Sequence, residues 1–370
     1  MKRVLITGGA GFIGSHLADE LLDRGYAVRV LDVLDEQVHG STGERPDYLH
    51  GDVELVVGDV ADPAAVRYCL DDVDAVVHLA ARVGVGQSMY EAASYTHVNS
   101  LGTAVLLEEL RARPVERLVV ASSMSVYGEG LYVDADGAFR CDARRTREQL
   151  ERRAWEPCDT AGRPLTALPT PEWKQPDLSS VYAVTKYDQE RLCLLMGEAY
   201  GIPIVALRLF NVYGTRQALS NPYTGVLAIF ASRLLNERRP LVFEDGSQRR
   251  DFVHVRDVAR AFRLALEKPD ADGQTLNVGS GTSYRVREVG ERLAQVMGTE
   301  IAPDITGEFR VGDIRHCWAD PARARDVLGF EASVDFDEGL AELAAWLEGR
   351  SALDRVDHAK AQLAERGLTL

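Results

Sequence analysis

A chain of 370 residues is long enough to bury a large core, and its length suggests one large domain with a smaller companion. Hydrophobic residues make up 46% and charged residues 27%, the balance of a globular protein. The net charge of −15 repels nucleic acid and anionic membrane surfaces, and no stretch reaches the ~20 apolar residues of a membrane span, so neither is expected as a general partner.

The first residues, Met1 to Thr7, run straight into Gly8, which reads as a strand and a turn rather than a signal peptide. Short apolar runs at Val4–Thr7, Val28–Leu31, Glu54–Val57, Ala75–His78 and Leu118–Ala121 predict buried strands. Amphipathic stretches at Ile13–Arg24, Pro63–Leu70 and Asn99–Arg111 lie between them. Repeated βα units predict an α/β fold with a doubly wound parallel sheet. The pattern breaks after Gly128: residues 130–178 are polar and weakly periodic, and read as an insertion. A helix at about Ser180–Tyr200 and a strand at Ile204–Leu207 resume the pattern. The expected division is therefore 1–129 with 179–214 as a nucleotide-binding domain and 130–178 as the insertion. Residues 215–350 are expected to be mainly a ligand-binding subdomain, and 351–370 an amphipathic tail helix. Five scattered cysteines (Cys69, Cys141, Cys158, Cys193, Cys317) suit a reducing cytoplasm better than a disulfide framework.

Gly8, Gly11 and Gly14 form G-x-x-G-x-x-G directly after the first strand, with Phe12 and Ile13 opening a helix. One glycine permits a tight turn, one lets backbone approach a pyrophosphate, and one lets helix and strand pack closely. The helix N-terminus then faces the phosphates. Asp32 ends the second strand, where a carboxylate accepts the adenosine ribose hydroxyls and repels a 2′-phosphate. These features predict a Rossmann fold that binds NAD. Asp59 follows the third strand and reads either as a neighbour of the adenine or as a helix N-cap before Pro63.

Two further segments carry chemistry. Ser122-Ser123-Met124-Ser125 lies at the C-terminal end of the fifth strand, the edge at which open α/β sheets bind ligands. Tyr182 and Lys186, four apart, share one helix face. A nearby ammonium lowers a tyrosine pKa from ~10 toward neutrality and makes it a general base.

Together with His78-Leu79-Ala80-Ala81, Asn99, Arg208-Leu-Phe-Asn211-Val-Tyr-Gly214, Arg250-Asp-Phe-Val-His-Val, Asn277-Val-Gly-Ser-Gly281 and Trp318-Ala-Asp320, these motifs resemble the extended short-chain dehydrogenase/reductase superfamily. The resemblance is to its nucleotide-sugar epimerase/dehydratase branch and runs to about residue 345. It implies Tyr182 as base and Lys186 as holder of the nicotinamide ribose, with Ser123 hydrogen-bonding the reacting hydroxyl. Met124 and Ser125 would line the sugar pocket, Asn211 would contact the diphosphate, and Arg250 and Arg310 would grip it, arginine being a planar fork suited to phosphate. The cofactor contour would include Asp59, Val60, Leu79, Ala80, Ala81 and Asn99. His78 would be structural. A homodimer through the helix bearing Tyr182 and the one near Asn99 is implied as well.

The branch contains epimerases, 4,6-dehydratases, decarboxylases and reductases. Where its dehydratases carry an Asp-Glu pair, this sequence has Met124 and Ser125, which do not titrate. That favours 4-epimerisation through a transient 4-keto sugar, with no net redox change. Reductase action and a non-catalytic dinucleotide sensor are the alternatives; Asp32 counts against the first, the intact Tyr182/Lys186 pair against the second. Arg216–Gly225 and the cysteine-bearing insertion resemble the dTDP-L-rhamnose 4-epimerases more than the UDP-galactose enzymes. Met124 either lines the pocket, where a thioether suits a C6 methyl group, or points into the core. The small Cys317 before Trp318 would instead admit larger sugars such as UDP-glucuronate, so UDP-glucose and UDP-glucuronate remain alternatives. The insertion resembles a zinc ribbon that has lost two ligands, since Cys141 and Cys158 each lack the second cysteine of a C-x-x-C knuckle; no metal is expected.

Overall fold

The computed structural model describes residues 1–40, 43–310 and 312–369. Seven parallel strands form the central sheet. Their order is Thr275–Val278, Ile204–Leu209, Arg117–Ser123, Ala75–His78, Arg3–Thr7, Ala27–Asp32 and Glu54–Val57. Because side chains alternate along a strand, Val4 and Ile6 enter one apolar cluster and Leu5 the other. Both faces are covered, which is why these strands read as unbroken apolar runs.

On one face the Phe12–Asp23 helix packs against the Val255–Glu267 helix, with Leu17, Leu21, Val258 and Phe262 in the shared core. On the other, Leu106 and Leu110 of the Gly102–Ala112 helix meet Cys193 of the Val181–Tyr200 helix. That last helix begins at Ser180, whose hydroxyl accepts the Ala183 N–H at 3.1 Å, and ends at Gly201 in the left-handed conformation (φ 68°).

The observed strands match the apolar runs within two residues at either end. Asn99–Arg111 is not one uniform helix: Thr96–Leu101 is a π-helical turn and Gly102–Ala112 the α-helix. The boundary at 214 also changes. The edge strand Thr275–Val278 and the Val255–Glu267 helix complete the Rossmann layer, although both fall in the stretch that the sequence pattern gives mainly to the ligand-binding subdomain. That smaller layer is built on Arg249–His254, which pairs in parallel with Asn211–Tyr213 and with His316–Cys317, and antiparallel with Ser283–Arg285.

The 130–178 insertion has structure of its own: strands Phe139–Arg140, Leu131–Val133 and Thr166–Leu168 form a small antiparallel sheet beside the helix Arg147–Glu151. Cys141 and Cys158 are free thiols, and no group of three or more potential ligands gathers among the described residues. What docks the insertion is a buried ionic network. Arg145 reaches Glu129 (3.2 Å), Glu244 (2.6 Å) and the Asp313 carbonyl (2.8 Å). Arg315 reaches Glu244 (2.8 Å), Asp245 (2.6 Å) and Glu156 (3.0 Å), and His316 meets Glu156 at 2.9 Å. Arg145→Met would leave Glu129 and Glu244 buried with too few partners. It should lower stability by about 3–5 kcal/mol, the cost of breaking a buried pair from one side. A urea-unfolding midpoint equal to that of the unaltered protein would show that the network does not hold the insertion.

Candidate functional site

The three glycines of the first βα turn do three different things. Gly8 adopts φ +69°, and a Cβ there would lie 2.8 Å from the Ala80 nitrogen. A Cβ on Gly14 would lie 2.5 Å from Gly9 Cα, so only glycine lets helix and loop meet. Gly11 is different: a Cβ there would meet only the Gly8 carbonyl, at 3.3 Å. The space over Gly11 is open, at the uncapped N-terminus of the Phe12–Asp23 helix, and a pyrophosphate can reach the main chain there. Asp32 lies at the end of its strand, buried. Its two oxygens accept the Ala10 and Leu34 N–H groups at 3.0 and 2.9 Å, and His39 Nε2 lies 3.6 Å from one of them. These residues fit an NAD adenosine diphosphate.

The rest of the expected cofactor contour divides. Leu79, Ala80 and Ala81 follow the fourth strand, with the Ala80 N–H donating to Thr7 Oγ1 at 3.3 Å beside the glycine loop. Asp59 is half-exposed and accepts the Ala61 N–H at 2.8 Å; the N-cap of the Pro63–Cys69 helix is Asp62 instead. Val60 is buried against Gly102. Asn99 is fully buried, and its amide is spent on the Arg82 N–H (2.7 Å), the Arg82 carbonyl (3.1 Å) and Thr185 (3.0 Å). It shapes the loop after the fourth strand from behind.

The segment after Gly214 packs on the helix that follows the glycine loop and on the turn after the second strand. His16 meets the Thr215 carbonyl at 3.1 Å, Arg216 pairs with Asp19 at 2.8 Å, and Gln37 donates to Asn221 at 3.0 Å. A cavity of about 1310 Å³ lies between 36–40, 215–223 and 349–362, beside His39 and Tyr48 and away from Tyr182.

Tyr182 and Ser123 come together from helix and strand, near enough for the Ser123 hydroxyl to act on the Tyr182 phenol, and the Ser123 hydroxyl meets Ser125 Oγ at 3.1 Å. The Tyr182 N–H is capped by Ser88 at 3.0 Å. Burial raises the phenol above its ordinary value, and the Ser123 hydrogen bond draws it part of the way back. The Lys186 ammonium, which the four-residue spacing suggests as the main influence, does not offset that burial in the protein alone. Lys186 is buried, which lowers its pKa to about 8, and it donates to Gln189 Oε1 at 2.6 Å. Gln189 Nε2 lies 3.0 Å from His78 Nε2, and His78 Nδ1 lies 2.7 Å from Thr7 Oγ1. Burial, then Lys186, lowers the His78 pKa to about 3, so this imidazole is neutral and structural. Gln189 is absent from the sequence motifs; its place three residues after Lys186, on the same helix face, is the signal that would reveal it.

Met124 is buried in an apolar cluster with Tyr127, Phe210, Ile314 and Cys317. Met124 and Cys317, on which the two sugar-pocket readings turn, thus lie together in one buried apolar cluster. Asn211 Nδ2 donates to the Asp251 carbonyl at 2.9 Å. Asp251 itself collects the N–H groups of Ser280, Gly281 and Ala319, which explains why three separate motifs converge. Arg250 and Arg310 meet at Asp313. Arg310 donates to Oδ2 at 2.9 Å and Arg250 lies 3.9 Å from Oδ1. Burial opposes ionisation of Asp313, but Arg310 and Arg250 hold its carboxyl below the ordinary range. Most of the Arg250 donors go to the carbonyls of Arg249, Ile314 and Arg315, whereas Arg310 is partly exposed over the Phe243 ring. Asp313, which no motif singles out as functional, is the internal anion of this basic pair.

A Rossmann sheet with an open glycine cradle, a buried aspartate at the end of its second strand and a Tyr/Ser/Lys set at its C-terminal edge defines a dinucleotide-dependent enzyme of the short-chain dehydrogenase/reductase type. The profile of the NAD dependent epimerase/dehydratase family matches residues 4–146 and 160–279, and the chain belongs to that family. It is 37% identical over 352 residues to dTDP-L-rhamnose 4-epimerase of Burkholderia thailandensis, covering 94% of this chain and 95% of that one. Among solved structures, the UDP-glucose 4-epimerase of Thermus thermophilus in complex with NAD is similar at 32% identity and TM-score 0.74, covering 94% and 99% of the two chains. UDP-N-acetylglucosamine 4-epimerase of Methanobrevibacter ruminantium is similar at 30% identity and TM-score 0.76, covering 93% and 97%. The protein is an enzyme of the NAD-dependent nucleotide-sugar 4-epimerase group. No helix among the described residues is long and apolar enough to cross a membrane.

Because the Ser123 hydrogen bond is what lowers the Tyr182 pKa, Ser123→Ala should raise it. The active form of a general base is the deprotonated one, so the rising limb of the pH–rate profile should move to higher pH. A slower enzyme with an unmoved limb would mean that Ser123 contacts substrate without tuning Tyr182.

Proposed function

We propose that the enzyme inverts C4 of a nucleotide-linked 6-deoxyhexose, with dTDP-L-rhamnose its first substrate. The observation that carries this reading is the wall beside Ser123. Met124 belongs to an apolar cluster with Phe210 and Cys317, and Ser125 is the next residue, so no acid or base for dehydration stands there. An apolar wall suits a C6 methyl group, and a sugar carboxylate set against it without a partner would be costly to desolvate. The Burkholderia relative supports the same choice. UDP-glucose and UDP-glucuronate are the second reading: another similar structure, 32% identical with TM-score 0.73, is described in complex with UDP-glucuronic acid and NAD.

In this mechanism Arg310 and Arg250 hold the diphosphate, with Asn211 beside them, and the sugar hangs toward Tyr182. Bound NAD supplies the hydride acceptor for C4 and a cationic ring that favours the Tyr182 phenolate. Tyr182 takes the C4 hydroxyl proton while Ser123 holds that oxygen. Lys186, fixed by Gln189, holds the nicotinamide ribose. The sugar turns about its diphosphate bonds while the arginines keep the nucleotide in place, so that C4 would take the hydride back on its other face as Tyr182 returns the proton to the oxygen. The packing of residues 215–223 on the Phe12–Asp23 helix and on Gln37, at either side of the cofactor cradle, supports a cofactor that stays bound between turnovers. The exposed Leu101, Val184 and Leu195, on the turn beside Asn99 and the helix of Tyr182, support a homodimer through those two elements.

Initial rates on dTDP-L-rhamnose, UDP-glucose, UDP-N-acetylglucosamine and UDP-glucuronate, read by NMR at C4 with no added cofactor, test the reading. The expected result is C4 inversion, fastest with dTDP-L-rhamnose. Tyr182→Phe should lower turnover by about 10²–10⁴, the usual worth of a general base, with the fold intact. Preference for UDP-glucuronate would overturn the apolar-wall argument, and a 4-keto-6-deoxy product would overturn epimerisation.

A further inference from the structure

Residues Val356–Glu365 form a helix, and the described chain runs on to Thr369. No motif falls here, and the family profile ends well before it. The segment nonetheless touches both walls of the proposed sugar-nucleotide cleft. On the Tyr182 side, Leu363 packs onto Gly86 so closely that a Cβ there would lie 3.2 Å from Leu363 Cδ2. Gly86 belongs to the short turn Val85–Ser88, whose Ser88 hydroxyl caps the Tyr182 N–H. Gln362 Oε1 accepts hydrogen bonds from the Tyr90 and Tyr223 hydroxyls at 3.2 and 3.0 Å, and the Arg366 guanidinium lies 4.5 Å from the centre of the Tyr90 ring. On the diphosphate side, Lys360 pairs with Glu308 at 2.7 Å, and Thr369 forms an antiparallel bridge with Arg310. Just before the helix starts and at its first turn, Asp354 and Asp357 anchor the segment to Arg233 and Arg238.

We propose that residues 358–369 are a strap that ties these two walls together and keeps the oxidised sugar in the cleft until it has turned over. The proposal rests on the 4-epimerase reading. A sugar that must present either face cannot be gripped tightly, so enclosure has to do what direct contacts cannot. Oxidation moves a hydride from C4 to the nicotinamide and a proton from the C4 hydroxyl to Tyr182. A ketone lost at that point leaves both electrons on the cofactor, and the enzyme is stranded in its reduced form. Gln362, Leu363 and Thr369 are therefore positioning residues, acting through Tyr90, Gly86 and Arg310.

Two variants test this: a chain ending at Asp357, which keeps the ionic anchor, and full-length Leu363→Glu. Each is titrated calorimetrically with UDP and with dTDP, and each is run with the preferred sugar nucleotide while nicotinamide fluorescence and free ketone are followed. The expected result is nucleoside diphosphate affinity weaker by about tenfold in both variants. Reduced cofactor should also build up on the protein, matched by ketone in solution, while the first oxidation proceeds at the rate of the intact enzyme. Unchanged affinity together with turnover that leaves no reduced cofactor would overturn the strap. If the intact protein does not invert C4, the proposed reaction fails instead, and the affinity comparison still reads the strap on its own.

Discussion

Glu190 and Arg208 form a buried ion pair between the helix that carries Tyr182 and the strand next to the one that ends in Ser123, and the arrangement of the reacting side chains hangs on it. Arg208 Nε and Nη2 donate to the two Glu190 oxygens at 3.0 and 2.7 Å, and Ser122 adds a third donor at 2.6 Å. A buried pair is costly to desolvate and stabilises only when its hydrogen bonds are complete, as these are. The Arg208 guanidinium also lies 4.8 Å from the centre of the Tyr127 ring, and Tyr127 donates to Asn277 at 2.7 Å. One charged contact thus fixes helix against sheet and sheet against the loop that leads to the smaller layer. Tyr182 and Ser123 meet because neither of their elements is free to slide.

The second constraint is charge. A chain with net charge −15 binds an anionic substrate by gathering positive charge locally. Arg250 and Arg310 gather such charge around the Asp313 carboxylate, and Asp313 is held by Arg145 of the insertion through its main-chain carbonyl. The insertion braces the basic pair through Arg145, Glu129 and Glu244.

Most of the fold and the outline of the site are legible in the sequence because they depend on local patterns. Apolar runs mark strands buried on both faces, Gly8, Gly11 and Gly14 mark the cradle, and Tyr182 with Lys186 mark one helix face. What escapes is whatever depends on distant partners. Gln189 gains its meaning only when His78 arrives from another strand, and Asp313 only when two arginines converge on it. The burial of Tyr182 escapes for the same reason: spacing shows that Lys186 is near in sequence, but burial is a property of the folded whole. The Val356–Glu365 helix looks like an ordinary amphipathic tail, since nothing in its composition says that its partners are Gly86 and Arg310.

The position of Thr275–Val278 has a consequence for how this protein can be divided. That strand joins Ile204–Leu209 only after the chain has left the central sheet, built the Arg249–His254 strand of the smaller layer, and come back. A fragment ending near residue 214 would keep the glycine loop and Tyr182 but would present Ile204–Leu209 as a bare, fully buried-type edge. It would also lack the helix that covers Leu17 and Leu21. Such an edge is a template for pairing with other chains. The dinucleotide half is therefore not a module that can be cut out and grafted elsewhere: nucleotide layer and sugar layer are woven into one folding unit.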